Sequence, residues 1–166
     1  MEYKNPAVTV DILVLSIQKN TFEILLISRK NPPFQGHWAI PGGFVNIDET
    51  IEHAAKRELE EETSLKNLPL MPLQYFDAVE RDPRGRTISL AYWTMTNKRR
   101  EVQAGSDATH TQWFPLTNLP PLAFDHRQII ETLKKHLQKI FQNATWLTLV
   151  QDFKVQALLK SIEKIK

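Results

Sequence analysis

Cysteine is absent from all 166 residues. That removes disulfides, zinc–thiolate sites, iron–sulfur clusters and thiol catalysis together. A long hydrophobic run is missing as well. The longest near the start, Ala7 to Ile17, is interrupted by Thr9 and Asp11, and is too short and too polar for a spanning helix or a signal core. Nor is there an excess of one charge. Lys and Arg total 21 against 19 Asp and Glu, a formal net charge of +2, which argues against nucleic acid as a partner. No internal repeat or low-complexity tract occurs. What remains is ordinary globular composition, 42% hydrophobic and 24% charged, at a length that makes one domain with a small appendage. The chain reads as a cytoplasmic protein with no membrane partner.

Strand and helix patterns interleave. Residues 7–17 alternate, with Val8, Val10, Ile12 and Val14 on one face. Phe22–Ser28 forms a second apolar, β-branched run, and Lys19-Asn20-Thr21 between them suits a hairpin. A Pro-Pro-Phe-Gln-Gly loop leads to the short step Trp38-Ala39-Ile40 and the turn Pro41-Gly42-Gly43. A helical period starts near Asp48, read as the cap, and runs to about Thr63. Residues 73–80 and 86–96 read as strands around an Asp82-Pro83-Arg84-Gly85 type I turn, and residues 111–114 as another. Asp125 opens a second helix with Gln128 as its capping-box partner and Ile129, Leu133, Leu137 and Ile140 on its core side. A third amphipathic segment covers about 145–165. The class is α/β or α+β with a mixed sheet, with residues 1–142 as the domain and 143–166 as a C-terminal helical extension rather than an independent domain.

The first helix is odd as a structural helix. At about 100° per residue from Ile51, Ala54, Ala55 and Leu59 define a buried stripe, and Glu58 (about −20°) and Glu62 (about +20°) fall in its middle. Glu61 lies beside it near −80°, and no Lys or Arg shares the stripe. Turned toward a core, each carboxylate costs several kcal/mol in desolvation, roughly, unless something positive faces it. One reading is a surface helix whose acids line up by chance. The sharper one is a hard-cation site, since clustered carboxylates without His or Cys favour Mg²⁺ or Mn²⁺ over zinc. Mg²⁺ commonly binds through one or two carboxylates plus phosphate oxygens, so the pattern points toward phosphate chemistry.

From Gly43 the chain reads GFVNIDETIEHAAKRELEEETSL. This closely resembles the Nudix box, G-x5-E-x7-R-E-U-x-E-E-x-G-U with U a bulky aliphatic residue. Gly43, Glu49, Arg57, Glu58, Leu59, Glu61, Glu62 and Leu65 match, and Ser64 replaces the late glycine, which implies a changed helix exit rather than lost chemistry. Phe34–Val45, Arg81–Arg86, Ala104–Ala108 and Leu119–His126 are further similar to the ADP-ribose pyrophosphatase branch. They also resemble the Nudix domain of Nudix-related regulators of NAD metabolism. Together these segments cover about residues 3–137.

The resemblance implies an α/β/α sandwich and Mg²⁺-dependent hydrolysis, with Mn²⁺ as a substitute, of a nucleoside diphosphate derivative. With ADP-ribose the products would be AMP and ribose 5-phosphate. It implies that Glu58 and Glu62 ligate metal, with Glu61 as a further ligand or base. A backbone carbonyl at Gly42 or Gly43 completes the set, and Gly43, Glu49 and Arg57 hold the loop. Asp107, in a loop, is the favoured of the two candidates for the general base, which leaves Glu61 as a ligand. Arg29, at a strand end, can clamp a phosphate bidentately. Arg81 and Arg84, at the hairpin turn, read either as a solvated turn or as further substrate contacts. Phe34, Trp38 and Phe44 flank the box, and none is singled out for the nucleobase. A homodimer is compatible with the apolar side of the last segment. The alternatives are a Nudix enzyme for another nucleotide and a sensor that binds ADP-ribose without turnover. The intact acid set favours catalysis, and the short stretch after the second helix does not suffice for a winged helix.

Overall fold

The computed structural model describes residues 5–19, 21–97, 99, 102, 104 and 108–142. The amphipathic segment at 145–165 and Asp107 lie outside them. Seven strands and two helices follow in the order β1 (Ala7–Gln18), β2 (Thr21–Arg29), β3 (Trp38–Ala39), β4 (Gly42–Phe44), α1 (Ile51–Thr63), β5 (Met71–Phe76), β6 (Thr87–Met95), β7 (Ala108–Pro115) and α2 (His126–Gln142).

β1 is central because its apolar residues are buried on both faces. Leu13 and Leu15 join Ile24, Leu26 and Trp93 against Ile129, Ile130, Leu133 and Leu137 of α2. Val10, Ile12 and Val14 turn to the other face, against Ala54, Ala55 and Leu59 of α1. This is the α/β/α sandwich with a mixed sheet that the sequence resemblance implies. The main path runs β3-β2-β1-β6-β5, while β4 pairs with β1 and β7 with β2. Among the strand pairs of the described residues, β1–β6 is the parallel one, Ala7 facing Thr87 through Leu15 facing Met95. β1 turns antiparallel into β2 at its C-terminal end and accepts the short β4 beside Thr9–Asp11. This branching delivers Gly42 and Gly43 to the middle of the central strand.

Several boundaries differ from the sequence reading. α1 is capped by Thr50, whose hydroxyl accepts from the His53 amide, because Glu49 turns back to the Asn46 amide (2.9 Å) and keeps residues 46–49 in a loop. Asp48 is therefore not the cap. At the other end Ser64 takes the left-handed conformation (φ 62°), and its amide bonds to Glu60 O at 2.8 Å. The exit thus keeps a geometry suited to glycine, at a cost of roughly 1 kcal/mol for a side chain there. β5 stops at Phe76 rather than residue 80 because the Arg86 guanidinium takes the Asp77 and Ala78 carbonyls at 2.7 and 3.3 Å. Asp125 begins α2 through its carbonyl, which accepts from Gln128 and Ile129, but its carboxylate goes to Arg81 instead of capping. Among the described residues no helix is long and apolar enough to cross a membrane.

Candidate active site

One open cleft of about 360 Å³ gathers most of the expected residues. Gly42, Gly43, Glu58 and Glu62 line it together with Arg29, Arg81 and Arg84. Asp11, Asp82, Phe124 and His126, which the sequence reading did not assign to substrate or metal, share the lining.

The acidic part is built by contact between β4 and α1. Glu62 is 9% exposed and accepts the Gly42 amide at 2.8 Å. Gly43 lies so close to Glu58 that a Cβ would overlap both carboxylate oxygens. Position 43 therefore cannot carry a side chain while Glu58 stays in place. Burial pushes the Glu58 carboxyl above its ordinary value, against the pull of the Arg57 guanidinium beside it.

Arg57 meets these acids although it does not share their stripe. The wheel puts it on the flank, but the long side chain reaches back across the helix. Its Nε and Nη2 hold Glu49 bidentately at 3.0 and 2.6 Å, and Nη1 reaches Glu58 at 2.8 Å and Glu61 at 3.0 Å. Nη2 also donates to Phe44 O at 3.1 Å, tying the helix to the end of β4. Glu49 and Arg57 thus hold the loop as expected, while one guanidinium faces three carboxylates. Glu62 is not among them. The side chain of Glu61 is 54% exposed and does not line the cleft.

The Arg57–Glu49 pair sets a pH dependence. Hydrogen bonds from Arg57 and Asn46 hold the Glu49 carboxyl down to about 2, against 4.5 ordinarily. Between those values the unfolded chain binds the extra proton, so stability rises with pH there and is lost as pH falls from 4.5 toward 2. Urea midpoints measured across this range should drop on acidification. Glu49→Gln should show a shallower acid limb. An unchanged limb in that variant would mean that other carboxylates govern it.

The basic part is a layered cluster. Arg29 stands at the end of β2, its Nε on Pro33 O (2.9 Å) and its guanidinium 4.8 Å over the Phe124 ring. Arg84 lies over the same ring at 5.5 Å and over Phe44 at 4.9 Å. Burial lowers the Arg29 pKa, and the neighbouring charge of Arg84 lowers it further, while Glu62 opposes the shift. Two guanidinium groups on one ring repel unless an anion joins them. Asp82 holds Arg84 by a bidentate contact, with 2.6 Å to Nη2, and by its backbone amide at 2.9 Å. The expected turn is present, since Gly85 N bonds to Asp82 O at 3.3 Å.

Arg81 is placed differently from its two neighbours in charge. It is buried, and Asp125 takes its Nε and Nη2 at 2.9 and 2.7 Å, with Asp11 3.5 Å from Nη2. These contacts pin the turn to the start of α2. Of the flanking aromatics, Trp38 stacks edge-on against Phe114 (4.8 Å) and joins the core, whereas Phe34 packs on Phe124 (4.9 Å). Asp11 was visible only as a polar break in an apolar run. In the fold it accepts from Ser89 and faces Arg81 and His126. Asp125 reads in the sequence only as a helix start; in the fold Phe124 lies under Arg29 and Arg84, Asp125 holds Arg81, and His126 takes the Ile40 amide.

Among the described residues no three His or acidic side chains converge as a closed cage. Half-buried Glu58, buried Glu62 and the backbone of Gly42 offer oxygen atoms to the cleft, with Glu61 exposed outside its lining. That fits a hard cation that completes its shell with water and phosphate oxygens.

The chain is 45% identical over 129 residues to the ADP-ribose pyrophosphatase of Methanocaldococcus jannaschii, covering 78% of this chain and 73% of that protein. It superposes on the NUDIX domain of Shewanella oneidensis NrtR complexed with ADP ribose with a TM-score of 0.76 at 31% identity, covering 81% and 90% of the two chains. A bifunctional NMN adenylyltransferase/ADP ribose pyrophosphatase from Francisella tularensis, complexed with AMP and a manganese ion, matches with a TM-score of 0.68 at 34% identity, over 82% of this chain and 43% of that one. The NUDIX domain model matches residues 5–133, and with the box residues gathered on α1 and β4 the chain belongs to the Nudix family of hydrolases.

Proposed function

We propose that the protein hydrolyses the pyrophosphate of ADP-ribose, giving AMP and ribose 5-phosphate, in a Mg²⁺-dependent reaction with Mn²⁺ able to substitute. The observation that carries this reading is one cleft in which half-buried Glu58 and buried Glu62 adjoin two guanidinium groups on a shared aromatic ring. The 45% identity to an ADP-ribose pyrophosphatase supports the choice of nucleotide.

Glu58, Glu62 and the Gly42 carbonyl would hold the cation, with Glu61 as a further ligand or as the base. A bound divalent ion supplies charge neutralisation on the phosphates and a more acidic water. The protein's own part is positional. Arg57 keeps Glu58 aimed while Glu49 anchors Arg57, and the Gly42 amide fixes Glu62. Arg29 and Arg84 contact the diphosphate as paired donors, Arg84 held by Asp82. Arg81 acts as a brace, since its side chain is buried against Asp125 and Asp11, whereas that of Arg84 stays partly open to the cleft. Asp107 remains the alternative base to Glu61, each adding about 10²–10⁴-fold as general bases do.

The test is product analysis on a nucleotide panel with Mg²⁺ and with EDTA. AMP and ribose 5-phosphate should appear from ADP-ribose with Mg²⁺ only. Turnover of another nucleotide alone would replace the substrate and keep the chemistry. A second reading, a sensor, is favoured by the likeness to the NrtR NUDIX domain complexed with ADP ribose. Tight ADP-ribose binding without hydrolysis would establish it instead.

A further inference from the structure

Residues 40–42 deliver the backbone of β4 to the acidic part of the cleft, and each has one polar anchor. The Ile40 amide donates to His126 Nδ1 at 2.9 Å. The Pro41 carbonyl accepts from the Ile12 amide at 2.8 Å, and the Gly42 amide donates to Glu62. Two of these anchors come from the central strand β1 and from α1, which carries the acids. The third comes from α2, which packs on the opposite face of the sheet. Its imidazole is buried, and Nε2 stands 3.4 Å from Asp11 Oδ1. Asp11 in turn faces Gly42 in the β1–β4 register.

A ring that accepts at Nδ1 and faces a carboxylate through Nε2 must be the neutral Nε2–H tautomer. Burial lowers the His126 pKa, which agrees with a neutral ring. Loss of the Nδ1 acceptor would strand the Ile40 amide in the interior and free the peptide that carries Gly42.

We propose that His126 is a positioning residue of the cation site, holding the Ile40–Gly42 backbone through Nδ1 so that Gly42 and Glu62 keep their mutual geometry. This rests on the reading of Glu58 and Glu62 as cation ligands. It gives His126 a task separate from hydrolysis itself, because its two ring nitrogens are engaged by Ile40 and Asp11.

Two variants separate this role from mere core filling. In His126→Asn the amide oxygen replaces Nδ1 and retains the Ile40 bond. In His126→Gln the longer side chain replaces Nε2, retains the Asp11 contact and leaves Ile40 unpartnered. Mn²⁺ affinity is read by EPR on the whole chain, with and without AMP, beside urea midpoints. His126→Gln should weaken Mn²⁺ binding about 10–100-fold, as loss of a support behind a ligand does. His126→Asn should stay within about threefold of wild type, although both variants lose stability. Equal Mn²⁺ affinity in wild type and His126→Gln would overturn the proposal, as would losses in both variants that simply track their stability. Should the variants fail to fold, the ¹⁵N shifts of the wild-type imidazole decide. An Nε2–H tautomer supports the role, and a protonated Nδ1 refutes it. A wild-type protein that takes up no Mn²⁺ with or without AMP would instead sink the cation reading, and this proposal with it.

Discussion

Glu62→Gln should lower Mg²⁺-dependent turnover of ADP-ribose by about 10²–10³-fold, the usual loss when one group stabilising the transition-state charge is removed. The protein should stay folded. The wild-type side chain is nearly buried and accepts the Gly42 amide, and glutamine keeps a carbonyl oxygen of similar reach for that bond. What it loses is charge. In the wild-type protein the Glu62 charge also offsets the lowering of the Arg29 pKa. Removing the charge therefore relieves a desolvation cost and gives up a modest attraction to Arg29. The two roughly cancel, and the urea midpoint should correspond to a change within about 1 kcal/mol. Activity assays at saturating Mg²⁺ and a denaturation series on the same preparation check both halves. A variant that unfolds while its folded remainder hydrolyses ADP-ribose normally would make Glu62 a structural acid and refute its place at the cation.

The contrast between Glu62 and Arg57 shows what periodicity can and cannot reveal. Position on a wheel fixes which face a Cβ leaves from, so Glu58 and Glu62 were legible as inward acids from spacing alone. A wheel says nothing about where a six-atom side chain ends. Arg57 starts on the flank, yet its guanidinium finishes among Glu49, Glu58 and Glu61. The same limit hid the network around Asp11. Its partners Ser89, Arg81 and His126 come from β6, the turn that precedes it and α2, and only the parallel pairing of β1 with β6 brings the first of them alongside. Local sequence carries no signal for that pairing. Strand limits failed for a related reason, since β5 ends where Arg86 claims the carbonyls and not where its apolar pattern stops.

Gly42 and Gly43 are adjacent, and the same substitution at each should give opposite phenotypes. At Gly43 an added methyl meets only the end of the Glu58 side chain, which can swing aside. Gly43→Ala should therefore fold close to normally but move Glu58 out of line, costing about 10²-fold in turnover, as an ångström-scale misplacement does. It should also weaken Mn²⁺ uptake in the absence of nucleotide. At Gly42 the methyl meets the carbonyl oxygen of Val10, in the backbone of the central strand, where nothing can rotate away. Relief requires separating β4 from β1, with the Gly42–Glu62 bond lost on the way. Gly42→Ala should thus lose about 3 kcal/mol of stability by overpacking. Thermal denaturation beside single-turnover assays distinguishes the two. If Gly43→Ala keeps full turnover with Glu58 displaced, then Glu58 does not serve the cation, and the division of labour between these two glycines is wrong. If Gly42→Ala melts like wild type, β4 is held to β1 more loosely than the Asp11–Gly42 register implies, and Glu62 cannot be fixed from that side.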